Sequence, residues 1–559
     1  MDEKHAVKEK GLLEEIGKLK RQVKELKSRK RYGLVWEEEK EPEKIVRDCQ
    51  YRIPILKEVK TNAVITDKEK PLNILIEGDN YHALSVLNYT HKGAIDVIYI
   101  DPPYNTGNKE FVFNDKMIGA DDAYRHSKWL SFMSKRLGLA KNLLKNTGVI
   151  FISIDDNEFA QLKLLCDEIF DEKNFIIDVI WNSRKSVSSD AIVSLNHNHT
   201  LLYAKDIEIL RGVIKKGYKF KLPAKEEKFS NPDNDTRGPW VADPFEAAGV
   251  RKNLSYAIKN PNTGKVFYPV KGRHWAVLEK EYFKLLKDNR IVFGKNGKGK
   301  PSRKRFLSDA MEKGLTPKSI WDDVGTTTNG TQELEDILGE KKFNNPKPVS
   351  LIRRILGLAT NKDSVVLDFM AGSGTTGHAV LEANKEDGGN RQFILCTNNE
   401  NNICTEVCYP RIEKVIKGYK NLNGENVKGL GGNLKYFKTE LLDIDHISHV
   451  SDEQKIKLTY QTGGMIALRE NTFEEVEKND WWQIFKNGIQ YTAIYFKEDK
   501  SKLKELVKRL EKLEAKIALY IFSWGKNEYK NEFTEYKNIR VEDIPEPIID
   551  VYKEVNRLS

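Results

Sequence analysis

The feature that most constrains this chain is a series of short apolar runs separated by helix-length stretches. Leu72–Ile76 (LNILI), Ile95–Ile100 (IDVIYI), Val149–Ile154 (VIFISI), Ser364–Asp368 (SVVLD) and Gln392–Cys396 (QFILC) are five or six residues long and mostly β-branched or aliphatic. Such runs, without polar alternation, are strands buried on both faces, the mark of a parallel sheet covered by helices. Phe175–Trp181 and Leu201–Ala204 read as further strands. Helices are expected around Trp129–Leu144, over Asn157–Phe170 with Asp155 or Asp156 as cap, over Pro348–Leu358 and through His378–Asn384. The alternation predicts an α/β, doubly wound, Rossmann-like sheet, in which ligands gather at the carboxyl ends of strands.

The alternation is interrupted, and the interruptions divide the 559 residues. Residues 1–50 form an N-terminal extension in which Leu12, Ile16, Leu19, Val23 and Leu26 follow a 4-3-4-3 spacing. That seam of about two heptads suits either an amphipathic helix on the body or a dimer contact. Residues 51–205 carry the first half of the alternation and 331–435 the second. Between them, 206–330 is rich in Lys, Gly, Asn and Pro and reads as an inserted domain of short elements. Residues 436–559 form a C-terminal domain with a Trp481-Trp482 pair, a strand at Tyr491–Phe496 and a charged helix from Lys500 to Ala515. It is a candidate partner contact.

Composition excludes some classes. No apolar run reaches the ~20 residues a bilayer span requires, and MDEKHAVKEKG lacks an apolar signal core, so neither a membrane protein nor a secreted one is expected. Five scattered cysteines fit a reducing cytoplasm. Cys404 and Cys408 have no second pair or histidine nearby, so no metal site is expected. A formal charge of +10 tolerates a polyanionic partner, and Lys295–Arg305 (KNGKGKPSRKR) concentrates six basic residues without an acid.

Two motifs carry chemistry. SVVLDFMAGSGTTG is a strand ending in Asp368, a tight Gly372-Ser373-Gly374 turn and a helix start at Thr375. Glycines there let a ligand approach the backbone, and the missing Gly-Lys-Ser/Thr ending excludes a Walker-type phosphate cradle. The string also fits a dinucleotide fingerprint. Asp368 would repel a pyrophosphate but attract an ammonium or sulfonium, and Glu400, past the next strand, suits a ribose diol. The pair fits S-adenosylmethionine better than NAD. The second motif is Asp101-Pro102-Pro103-Tyr104, at the end of IDVIYI. It offers carbonyl acceptors, a carboxylate and an aromatic face, but no proline N–H. A rigid turn is the plain alternative. The chemical reading is that Asp101 and a proline carbonyl accept the two hydrogens of a nucleobase amine, aiming its lone pair at a methyl donor. Tyr104 would stack on a base flipped out of a duplex.

With acceptor motif, insert and cofactor motif in that order, the chain resembles the β-class DNA amino-methyltransferases, a circularly permuted methyltransferase arrangement. RKRYGLVWE, LIEGDNYHAL, IDVIYIDPPYNTG, YRHSKWLSFMSKRL and GVIFISIDDNE together look like the modification subunits of Type III restriction–modification systems. The resemblance implies that Asp101, Pro102, Pro103 and Tyr104 form the acceptor site. It implies that Phe369, Gly372, Ser373, Gly374 and Thr375 wrap S-adenosylmethionine, with Asp368 at its amino end, Glu400 on its ribose and Asp79 near its adenine. Phe343 and Lys347, in FNNPKP, would cover its methionine end. Asp before the prolines looks like adenine-N6 rather than cytosine-N4 modification, and both stay open, as does a mainly DNA-recognition or assembly subunit. Lys298, Lys300, Arg303, Lys304 and Arg305 of the insert are expected on phosphates of double-stranded DNA. A homodimer and a nuclease–helicase restriction subunit are the implied protein partners.

Overall fold

In the computed structural model the described residues run from 43 to 558, without 68, 115, 216–219, 223–225, 295, 526–528, 530, 531 and 534. At 108–110, 557 and 558 only the backbone is described. The seam from Leu12 to Leu26 lies outside them. The apolar runs become strands of one mixed sheet: β1 (Arg52–Glu58), β2 (Leu72–Glu77), β3 (Ile95–Ile100), β4 (Leu144–Ile154), β5 (Phe175–Trp181), β6 (Asn198–Ala204), β7 (Ile320–Trp321), β8 (Val365–Asp368), β9 (Gln392–Thr397) and β10 (Asn433–Asp443). Their order is β1-β10-β2-β9-β8-β3-β4-β6-β5-β7, with Val64–Ile65 also pairing to β10. From β10 to β4 every pair is parallel. Beyond β4 the ladder turns antiparallel through β6 and β5.

Alternation of side chains across the pleat builds two cores. Ile74, Ile76, Ile98, Ile100 and Leu367 face one layer of helices, and Leu75, Val97, Tyr99 and Val366 face the other. The first layer holds α1 (Asn80–Thr90) and α2 (Arg125–Leu143), and the second holds α3 (Thr327–Leu338), α4 (Val349–Ala359), α5 (Thr375–Asp387) and α6 (Tyr409–Lys417). All five cysteines are free and buried. Among the described residues no helix is long and apolar enough to cross a membrane.

Several expected boundaries move. Residues 43–50 belong to the body, because Val46 and Cys49 sit in the first core. Parts of the expected insert also belong to it: Ile207 and Leu210 pack in the second core, and β7 extends the sheet. The part with a core of its own lies inside about 226–306, where Phe245, Ile258, Phe267, Trp275, Tyr282, Ile291 and Phe293 cluster. The boundary at 435 falls inside β10, which runs on to Asp443. The last strands form a five-stranded sheet, Glu474–Lys478, Trp482–Asn487, Gln490–Tyr495, Lys516–Phe522 and Ile539–Ile544. The terminal helix Glu546–Leu558 places Ile548, Ile549, Tyr552 and Val555 in the first core, so this region is docked on the body. The helix expected from Asn157 starts at Phe159 with no side-chain cap; Asp155 Oδ1 instead accepts from the Asn157 N–H at 3.0 Å, closing the turn before it.

Candidate active site

The sheet register brings the two motifs together. β3 and β8 are hydrogen-bonded neighbours, Val366 opposite Val97 and Leu367 opposite Ile98, so Asp101 and Asp368 end adjacent parallel strands. From β8 the sheet continues through β9 to β2 on one side, and from β3 to β4 on the other. This is the switch point where an open sheet leaves a crevice. Lys347 spans it: its Nζ forms an ion pair with Asp101 Oδ2, lies 5.1 Å from the Tyr104 ring centre, and its backbone carbonyl accepts from Thr375 Oγ1 at 3.1 Å. The residue expected over the cofactor therefore touches the acceptor carboxylate. Its spacing in FNNPKP carried no signal of that, because the contact crosses 246 residues of sequence.

On the acceptor side, the Pro103 carbonyl accepts from Trp129 Nε1 at 2.7 Å. The helix α2 thus anchors the second proline. Asp101 Oδ1 and the Tyr104 hydroxyl are both buried, and the hydroxyl faces the Asp101 carboxylate and the Asn198 side chain. Burial and the neighbouring Asp101 push the Tyr104 phenol well above its ordinary value, so it stays a neutral ring. Asn105, in the left-handed region at φ 55°, donates to fully buried Glu158 Oε1 at 2.5 Å, and His126 Nδ1 meets the same oxygen at 2.6 Å. Burial raises the Glu158 carboxyl despite these partners. That bracing of the loop was not anticipated.

On the cofactor side, Gly372 (φ 48°) and Gly374 (φ 78°) occupy the left-handed region, and a Cβ on Gly372 would lie 3.2 Å from the Phe343 ring. Phe343 is therefore packed over the glycine turn. The hydroxyls of Ser373 and Thr375 point inward, to fully buried Arg411, whose NH1 lies 3.2 and 2.8 Å from them. What the turn presents to a ligand is its backbone. Phe369 is a correction: its ring is wholly buried in the first core, so its side chain offers no surface to a ligand here. Asp368 accepts from Thr376 Oγ1 at 2.6 Å and from the Met370 N–H at 3.0 Å. Burial first, and Asp101 in addition, push it up to about 7, while Lys347 works the other way. Asp79 caps α1, accepting from the Tyr81 N–H at 2.7 Å, with Arg136 at 3.5 Å. Glu400 is exposed in the turn after β9. Thr376 and Arg411 were missed: one looks like a plain helix residue, and the other becomes a loop support only through tertiary packing.

One further cluster has ligand-like spacing. Asp156, His197 and His199 bring one donor atom each within 4.8 Å of one another. His199, however, meets Asp178 through Nδ1 (2.8 Å) and Asp156 through Nε2 (3.3 Å). Burial opposes its charge, but the two carboxylates prevail and raise its pKa. Both ring nitrogens of His199 are thus already taken up by carboxylate oxygens.

The basic run of the insert is a second correction. Lys304 is fully buried in the strand Ser302–Phe306, its ammonium bound by Asp233 and by Asp235 at 2.9 Å. It cannot reach a phosphate. Arg305 pairs with Asp243 at 2.9 Å and Lys300 with Glu246 at 3.6 Å, while Lys298 and Arg303 are exposed.

An open α/β sheet with a glycine turn and a proline-rich acidic tip side by side at its switch point defines a fold that holds a small ligand against a second substrate. The chain belongs to the DNA methylase family, which matches residues 95–407. It is 38% identical over 401 residues to the Type III restriction-modification enzyme StyLTI Mod subunit of Salmonella typhimurium, covering 65% of this chain and 58% of that one. It is 32% identical over 411 residues to the EcoPI Mod subunit of Escherichia phage P1 (62% and 60%). It is 34% identical over 364 residues to the Type II methyltransferase M.KpnI of Klebsiella pneumoniae (59% and 82%). The chain spans about three fifths of the length of these two Type III relatives.

Proposed function

We propose that this protein transfers a methyl group from S-adenosylmethionine to the N6 amine of adenine in duplex DNA, as the modification and recognition subunit of a Type III restriction–modification system. The observation that carries the reading is the pairing of β3 with β8, which sets Asp101 beside Asp368. When bound, S-adenosylmethionine supplies an electrophilic methyl group on a sulfonium that leaves as a neutral thioether. Asp368, the glycine turn and Glu400 hold it by charge, backbone and ribose contacts. The flipped base lies on the Tyr104 ring, where Lys347 now sits, and its amine displaces the lysine from Asp101. Asp101 and the Pro102 carbonyl each accept one amine hydrogen, so the nitrogen lone pair points across the crevice. As the N–C bond forms, the nitrogen becomes cationic and releases one proton, with the Asp101 carboxylate the nearest base. The insert contacts DNA through exposed residues such as Lys298 and Arg303. A restriction subunit and a second copy of this chain are the proposed protein partners, and the cytoplasm the proposed location.

The test is incubation with methyl-labelled S-adenosylmethionine and duplex DNA, followed by nucleoside mass spectrometry. N6-methyladenine is expected. N4-methylcytosine would replace the base assignment while keeping the chemistry, and no labelled DNA at all would sink the reading.

A further inference from the structure

The β5–β6 connection, residues 182–197, presents an apolar tip that the mechanism above does not use. Ile192 is fully exposed, Val187 and Val193 are 78% exposed and Leu195 is 63% exposed. Scattered surface aliphatics need no explanation, but four on one loop, free of the core, do. The loop's neck is well built: Asn196 Nδ2 donates to the carbonyls of Arg184 and Ser186 at 2.9 Å, and the Arg184 N–H donates to the Asn196 carbonyl at 3.2 Å. Ser194 Oγ accepts from the Ser188 N–H at 3.0 Å. The tip is thus held out from a clamped base.

Its position is what gives it meaning. Trp181 pairs with Asn198, His199 with Ile154, and Ile152 with Ile100, so the loop springs from the sheet edge that carries Asp101. β6 lies two strands from β3, on the order of 10 Å at the usual spacing. Asn198, where the loop re-enters the sheet, faces the Tyr104 hydroxyl. Arg184 and Lys185 are exposed at the neck on the N-terminal side of the apolar tip, with exposed Asp190 between them and Ile192. Aliphatic wedges flanked by basic residues are how proteins part stacked base pairs.

We propose that the 182–197 loop is a DNA wedge: Ile192 and Val193 enter the base stack where the target nucleotide has left it, while Arg184 and Lys185 hold the neighbouring phosphates. This rests on the methyl-transfer reading and adds a surface to it. Unstacking is opposed least where a base is already unpaired, and that supplies the test.

The full chain carrying Ile192→Ser and Val193→Ser is compared with the wild type on two duplexes, one fully paired and one with an abasic site opposite the target. On the paired duplex the variant should be about tenfold slower and should show less 2-aminopurine fluorescence at the target position. On the abasic duplex it should recover to within about twofold, since flipping there needs little help. Cofactor affinity and melting temperature should not change. Wild-type rates on both duplexes, or equal impairment on both, would overturn the wedge. So would impairment that tracks loss of a dimer in light scattering, which would assign the loop to a protein contact. A wild type that methylates neither duplex would instead remove the underlying reading, and the wedge with it.

Discussion

The strand tips and the insert both carry charged residues, yet the fold uses them in opposite ways. At the tips, Asp101 and Asp368 are held by the register of two parallel strands, and Asp101 meets Lys347 across the crevice. In the insert, the run that looked most like a nucleic-acid surface is largely spent internally: Lys304 on Asp233 and Asp235, Arg305 on Asp243, Lys300 on Glu246. Position in a sheet is therefore a better guide to chemistry than local charge density. A strand tip at a switch point opens on a crevice between loops, whereas a basic strand alternates its side chains between solvent and core.

The largest effect expected from breaking this contrast is at Asp101. Asp101→Ala should lower methyl transfer by at least about 10²–10³-fold, because a preorganised polar contact to the reacting group is lost. Cofactor affinity by calorimetry should change little. Transfer at the wild-type rate would reduce Asp-Pro-Pro-Tyr to a rigid turn.

The coupling between the two tips comes next. Asp368 is pushed up to about 7 in the folded protein, above its unfolded value, so its charged form opposes folding as pH rises. A cationic ligand needs that charged form. S-adenosylmethionine affinity should therefore rise by up to about tenfold per pH unit below the midpoint near 7 and level off above it. Asp101→Asn should move the midpoint down, because Asp101 raises it, and Lys347→Met should move it up, because Lys347 lowers it. A binding profile flat from pH 5.5 to 8.5 would disconnect Asp368 from the cofactor.

Within the insert, two neighbouring residues should behave differently. Lys304→Ala removes the cation between Asp233 and Asp235, leaving Arg237 on the latter alone, and the melting temperature should fall by several degrees, on the order of 5 °C. Arg303→Ala should leave melting unchanged and reduce the log–log salt dependence of DNA binding by about one, the smallest effect of the set. If Lys304→Ala changed only the salt slope, the burial seen here would not hold when DNA binds.

Much of this was legible in the sequence because the relevant signals are local. Ile95–Ile100 and Phe175–Trp181 fall where the apolar runs put them, since each is dominated by β-branched and aromatic residues. The turn glycines were legible because Gly372 and Gly374 adopt φ values that other residues rarely accept. The helix after β4 was misjudged at its start, because Asp155 offered a cap and used it one turn too early. The insert's limits were misplaced because Ile207, Leu210 and Trp321 look like any apolar residues of surface loops until the sheet and its core claim them.

By itself, then, the sequence determined the elements, the order of the two motifs and the chemical types at their tips. All of these follow from propensity, periodicity and backbone sterics over a few neighbouring residues. Only the tertiary structure decided that Lys347 reaches Asp101 and that Trp129 takes the Pro103 carbonyl. Only it decided that Arg411 props the glycine turn and that Lys304 turns inward. Each of these is a contact across 26 to 246 residues. Its existence depends on strand order and on which face a side chain takes, and neither is written in any window of the chain short enough to read.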